Sequence, residues 1–132
     1  VKPGSLLSLH GSAQGKIALA FGDPSRLRAL MGETLEAMTP HTLTDPLDLA
    51  AELKTVRRQG WADAPNEALI GINALAAPIF DALGAFVGCV ALVDSIQHVP
   101  APPPPEMLAA LLAAAERISA DLGYRADATS GD

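Results

Sequence analysis

A chain of 132 residues holds one domain with a single core and is too short for two. Hydrophobic residues make up 49 % and charged residues 18 %, a composition that excludes an intrinsically disordered chain. The formal net charge of -6 argues against a nucleic-acid footprint, which needs clustered Lys and Arg; the one tight basic pair, Arg57-Arg58, sits beside Lys54 on a solvated helix face.

Cys89 is the single cysteine, so neither an internal disulfide nor a multi-cysteine zinc site is expected. No signal peptide is legible, and no apolar run reaches the roughly 18 residues of a spanning helix. The expectation is therefore a cytoplasmic protein with no membrane contact. The chain moves from Val1 almost at once into Leu6-Leu7, which suggests that an upstream portion belongs to it.

Ser5 to Leu9 reads as a short strand, and Ser12 then caps a helix over Ala13 to Phe21. Gly22-Asp23-Pro24 stops that helix and starts another, with Asp23 as cap, Leu27, Leu30 and Met31 on one face and Gly32 as the stop. Thr44-Asp45-Pro46 is a second start signal. Leu49, Leu53 and Val56 follow at helical spacing as far as Gln59, and Gly60 ends the run. Asp48 and Glu52 near its start and Lys54, Arg57 and Arg58 near its end suit the helix dipole.

Residues 63 to 67 read as a polar loop. The apolar runs Leu69 to Phe80 and Ala85 to Val93 flank Asp81-Ala82-Leu83-Gly84, a turn in which Gly84 takes positive φ, and together they predict a β-hairpin covered at least in part on both faces. Pro100 and Pro102 to Pro105 form a stiff linker. A last helix runs from Glu106 to Leu122 with Leu108, Leu111, Leu112, Ala115, Ile118 and Leu122 as its apolar stripe and Gly123 after it.

Read in order, His10-Gly11-Ser12-Ala13-Gln14-Gly15-Lys16, Thr39-Pro40-His41-Thr42-Leu43-Thr44-Asp45-Pro46, Leu53 through Val56-Arg57-Arg58-Gln59-Gly60-Trp61, and Ala76-Ala77-Pro78-Ile79-Phe80-Asp81 resemble successive signatures of the IclR-family effector domain. Ala114 to Ser119 and Leu122-Gly123-Tyr124 resemble the end of that domain. The resemblance implies an α/β fold of the α+β kind, a GAF-like antiparallel sheet with helices packed on it. It also implies a small-molecule effector, homodimers or homotetramers, and DNA contact only through an N-terminal winged helix-turn-helix that this chain lacks, along with the opening part of the effector domain. Residues 1–124 are then the effector-binding and oligomerisation domain, and 125–132 a disordered tail.

The capped start at Ser12 leaves the Ala13 and Gln14 amides facing outward, where a carboxylate fits. The same stretch is not a phosphate-binding P-loop, because the glycine spacing and the Ser or Thr after Lys16 are lacking. By resemblance the effector pocket is lined by Leu7, Ala13, Gln14, Ala74, Ala91 and Val93 and by the loop after Trp61, where the family's acid near Ala64 or Pro65 is displaced with only Asp63 and Glu67 close by, and Glu67 is counted among the ligand-binding residues. His10 adjoins this site. The family often has serines at the positions of Ala91 and Val93, so a fairly apolar ligand, an organic acid or an aromatic, is expected.

Cys89 lies mid-strand and reads as a structural cysteine rather than a nucleophile served by His10, His41 or His98. The three histidines have no metal-ligand spacing, and the scattered carboxylates offer no acid/base pair; Asp23 and Asp45 suit caps, Asp81 a turn, and Glu33 and Glu36 an exposed segment. No catalytic residue, metal or cofactor is expected, and no enzyme. The alternative to an effector domain is a dimerisation module with a degenerate pocket.

Overall fold

The computed structural model describes residues 10–31 and 35–125. The expected strand at Ser5 to Leu9, with Leu7, and the stop at Gly32 lie outside the described residues, as does the expected tail beyond Arg125.

The chain runs through α1 (Ala13–Phe21), α2 (Pro24–Met31), α3 (Pro46–Gln59), β1 (Ala62–Asp63), β2 (Ile72–Phe80), β3 (Phe86–Ser95) and α4 (Pro105–Asp121). The cap signals act as expected. Ser12 Oγ accepts from the Gly15 N–H at 3.0 Å, Asp45 Oδ1 from the Leu47 N–H at 2.9 Å, and Asp23 Oδ1 from the Ser25 N–H at 3.0 Å. Each supplies an acceptor that the first turn of a helix lacks within itself.

The three strands form one antiparallel sheet in the order β1-β2-β3. Gly84, at φ 78°, turns β2 into β3, while Asp81 Oδ1 accepts from the Leu83 and Ala85 amides. A two-residue strand, β1, overlaps the first residue of the segment read as loop: Ala62 and Asp63 pair with Ala76 and Leu75. Leu69 and Ile70, read as strand, instead form an exposed turn, and β2 begins at Ile72.

Register decides the layers. Ala74 lies opposite Val93, Ala76 opposite Ala91 and Pro78 opposite Cys89, and residues paired in this way share a face. Ala74, Ala76, Cys89 and Ala91 pack there with Ala13, Ile17 and Ala20 of α1 and with Leu49, Leu53 and Val56 of α3. The opposite face carries Leu75, Ala77 and Val90 against Leu111 and Ala115 of α4. β2 is thus buried on both faces from Asn73 to Pro78, whereas β3 exposes Val87, Leu92 and Val93.

The apolar stripe of α4 is rotated from the expected one. Leu111, Ala115 and Ser119 are the buried set at spacing four, and Ile118 and Leu122 are exposed. A serine takes a core position because the Phe80 N–H, near the end of β2, donates to its Oγ at 3.0 Å. On α2 no residue is fully buried; Leu27 and Leu30 lean on the core and Met31 is exposed.

Candidate functional site

Three segments converge on the N-terminus of α1. The Gly15 N–H is taken by Ser12 Oγ and the Lys16 N–H by the Ser12 carbonyl at 3.0 Å, so the amides of Ala13 and Gln14 are those left without an intrahelical acceptor. Helix dipole and free amides together make this end electropositive. Ala13 is buried against the sheet face that carries Ala74 and Ala91, and Gln14 is half-buried. Val93 shares that face by register but sits at its margin, 58 % exposed.

The segment from Leu35 to Leu43 wraps this end. His10, buried just before the helix, has Nε2 at 2.6 Å from the Glu36 carbonyl, which makes Nε2–H the donor. Thr39 Oγ1–H donates to the Asn66 carbonyl, and Thr42 Oγ1–H to the Glu67 carbonyl at 2.6 Å. Thr42 Oγ1 in turn accepts from the Met38 and Thr39 amides. The loop after β1 is shaped by Asn66, at φ 60°, whose Oδ1 accepts from the Gly71 N–H at 2.7 Å. Asn73, fully buried on β2, fastens the same loop: Oδ1 accepts from the Ala64 N–H and Nδ2–H donates to the Val99 carbonyl at 2.9 Å.

Lys16 closes the arrangement from inside. Its side chain has no exposed surface, and Nζ donates to Glu52 Oε2 at 3.0 Å, to the Asp63 carbonyl at 2.8 Å and to Glu67 Oε2 at 3.0 Å. Glu67 Oε1 is also 2.9 Å from Nζ, but no hydrogen bond is directed at it. Burial pushes the Glu67 carboxyl above its usual range, against the pull of the Lys16 ammonium. Burial likewise raises the Asp63 carboxyl, again opposed by Lys16. Glu67, expected as the ligand-facing acid, thus has its carboxylate on Lys16 and its carbonyl on Thr42.

Lys16, Thr39, Thr42 and Asn73 join the site without being among the residues expected there from the sequence. A signal for Lys16 was present: a lone cation amid Ile17, Leu19 and Ala20 on a buried helix needs a counter-charge. Its partners, 36 and 51 residues away, carry no local mark. Cys89 is half-buried on β3, and burial pushes its thiol up, away from the thiolate that nucleophilic chemistry requires. His41 is exposed, and among the described residues no group of His, Cys, Asp or Glu is arranged to hold a metal ion. No helix among them is long and apolar enough to cross a membrane.

A separate open cavity of about 790 Å³ lies at the other end of α1, where Phe21, Phe80 and Tyr124 meet Leu112 and Ser119 of α4. It shares no residue with the set gathered around Ala13. Its walls include two charged side chains, Glu116 and Arg125, both exposed.

The described residues form an α+β domain in which helices pack on both faces of a three-stranded antiparallel sheet. The family model for the bacterial transcriptional regulator IclR C-terminal domain matches residues 1–120, and the chain belongs to that family. It is 33 % identical over 127 residues to the HTH-type transcriptional regulator BhcR of Paracoccus denitrificans, covering 96 % of this chain and 46 % of that protein. Among solved structures it is similar to the Thermotoga maritima IclR, at 35 % identity and TM-score 0.78, covering 88 % of this chain and 47 % of that one. It is also similar to the Agobacterium tumefaciens repressor BlcR, at 25 % identity and TM-score 0.83, covering 96 % and 51 %. The chain therefore spans about half the length of these relatives. They are transcriptional regulators, and the chain is a regulator domain rather than an enzyme.

Proposed function

We propose that this chain is the effector-binding and self-associating part of a cytoplasmic bacterial transcription regulator, and that it takes a small, fairly apolar organic acid at the N-terminus of α1. The observation that carries the reading is the capped helix start, with the Ala13 and Gln14 amides beside a sheet face lined by Ala74 and Ala91. The carboxylate sits on the two amides; His10, the Glu67 turn and Val93 lie around its body. An alanine-lined wall offers no donors to a polar ligand, which favours an aromatic or aliphatic acid over a two-carbon oxoacid. DNA is contacted by a separate N-terminal helix-turn-helix, in keeping with the HTH-type names of relatives twice as long. Effector binding then acts by favouring one arrangement of subunits over another, which requires unequal affinity for the two.

Calorimetric titration with benzoate and with glyoxylate tests this, with Gln14→Pro as the control. The substitution removes one amide donor and strains the first turn while leaving the remainder of α1 in place. Benzoate is expected to bind more tightly than glyoxylate, and Gln14→Pro to weaken it roughly tenfold or more, the worth of a hydrogen bond to a charged group. Equal benzoate affinity in the two proteins refutes the placement. The alternative, a self-association module without an effector, draws on the missing hydroxyls at Ala91 and Val93 and predicts that neither acid binds.

A further inference from the structure

An ammonium carries three N–H donors, and those of Lys16 meet acceptors on three different parts of the fold: Glu52 of α3, the Asp63 carbonyl of β1, and Glu67 of the loop that follows. Lys16 lies one helical turn beyond Ala13, with no surface of its own. From Glu67 the links continue outward, through its carbonyl to Thr42, from the Asn66 carbonyl to Thr39, and from the Glu36 carbonyl back to His10 at the start of α1. The result is a closed ring around the helix start, anchored on one buried cation.

We propose that Lys16 is a positioning residue for the effector site: by holding Glu52, Glu67 and the Asp63 carbonyl on one ammonium, it fixes the 64–67 turn and, through it, the 38–42 segment around the Ala13 and Gln14 amides. This rests on the reading that these amides receive the ligand. Charge, rather than shape, does the holding. Glu67 Oε2 accepts from the ammonium at 3.0 Å, and Oε1, which receives no directed hydrogen bond, lies 2.9 Å from it. Without the cation, Glu52 and Glu67 face each other as partly desolvated like charges, and the turn that carries Glu67 is driven off the helix. The groups that face Glu67 are Lys16 from α1, Glu52 from α3 and Asp63 from β1, with the uncharged Thr39 and Thr42 hydroxyls on the remaining side.

The test is amide hydrogen exchange read by mass spectrometry on the 132-residue chain, alongside benzoate titration, for wild type, Lys16→Met, Lys16→Arg and Glu67→Gln. Exchange of residues 36–42 and 64–71 is expected to rise about tenfold or more in Lys16→Met and Glu67→Gln, with α4 unchanged and benzoate affinity reduced in step. Lys16→Arg, which keeps the charge, is expected to restore both. If Lys16→Met does not fold, Glu67→Gln decides, because it preserves the side-chain shape. Unchanged exchange in Glu67→Gln overturns the proposal. So does faster exchange with undiminished benzoate affinity, and so does equal loosening in Lys16→Arg, which would trace the effect to packing. A wild-type chain that binds no benzoate counts against the effector reading instead; the exchange result then decides by itself whether the ring depends on Lys16.

Discussion

Asp63 serves the fold with its backbone and strains it with its side chain. Its carbonyl accepts from Lys16 Nζ, while its carboxyl is raised by burial in a neighbourhood where Glu52 adds further negative charge, opposed by Lys16 and by a hydrogen bond from its own backbone. A carboxyl whose folded value is raised favours the folded state below its unfolded pKa, and that contribution is lost as pH rises through the folded value. Ionising Asp63 between acid and neutral pH therefore costs stability. Asp63→Asn leaves the carbonyl in place and removes the charge, so it is expected to be more stable than wild type at neutral pH, with the difference vanishing in acid. Urea unfolding at both pH values checks this, and a neutral-pH loss would show that the Lys16 attraction outweighs burial.

Among the elements, α3 has the most complete sequence signal, from the Asp45 cap and Pro46 through to Gly60, and the structure reproduces each bound. Gly60 takes φ 85° and returns its N–H to the Val56 carbonyl at 2.8 Å, and a Cβ there would meet nothing within 4 Å. Gly60→Ala is thus a purely conformational change, expected to cost about 1 kcal/mol in equilibrium unfolding. Such caps are legible because the residues that make them are neighbours in sequence. β1 was not legible, since two residues show no period. The burial of Ser119 in place of Ile118 was hidden for another reason: its partner is the Phe80 amide, 39 residues away, and only the tertiary contact makes a serine acceptable in the core. At the site, Ser12 with the Ala13 and Gln14 amides was readable as a local motif, and Ala74 and Ala91 came from the family resemblance. The pairing of Glu67 with Lys16 depended on an approach that no local pattern encodes.

For the molecule as a whole, the uneven covering of the sheet bears on association. β2 is buried on both faces, but β3 leaves Val87, Leu92 and Val93 open, and Leu69, Ile70 and Leu83 are exposed in the turns around it. Apolar burial is worth roughly 25 cal/mol per Å², so an interface of ordinary size outweighs the mutual repulsion of two chains with a net charge of -6. Light scattering at protein concentrations on the order of tens of micromolar is expected to return a dimer or larger closed assembly, and a monodisperse monomer would refute it.

The ring around the start of α1 also has a kinetic meaning. Its links join residues 26, 27 and 51 positions apart, from His10 to Glu36, Thr39 to Asn66 and Lys16 to Glu67. Contacts of such separation carry a loop-closure cost that the local β2–β3 turn does not, so the hairpin can form early while the ring must wait until α1, α3 and the loop after β1 have come together. The site proposed for the effector is then a late-assembled part of the molecule, and occupancy there is expected to report that the helical layer has closed over the sheet.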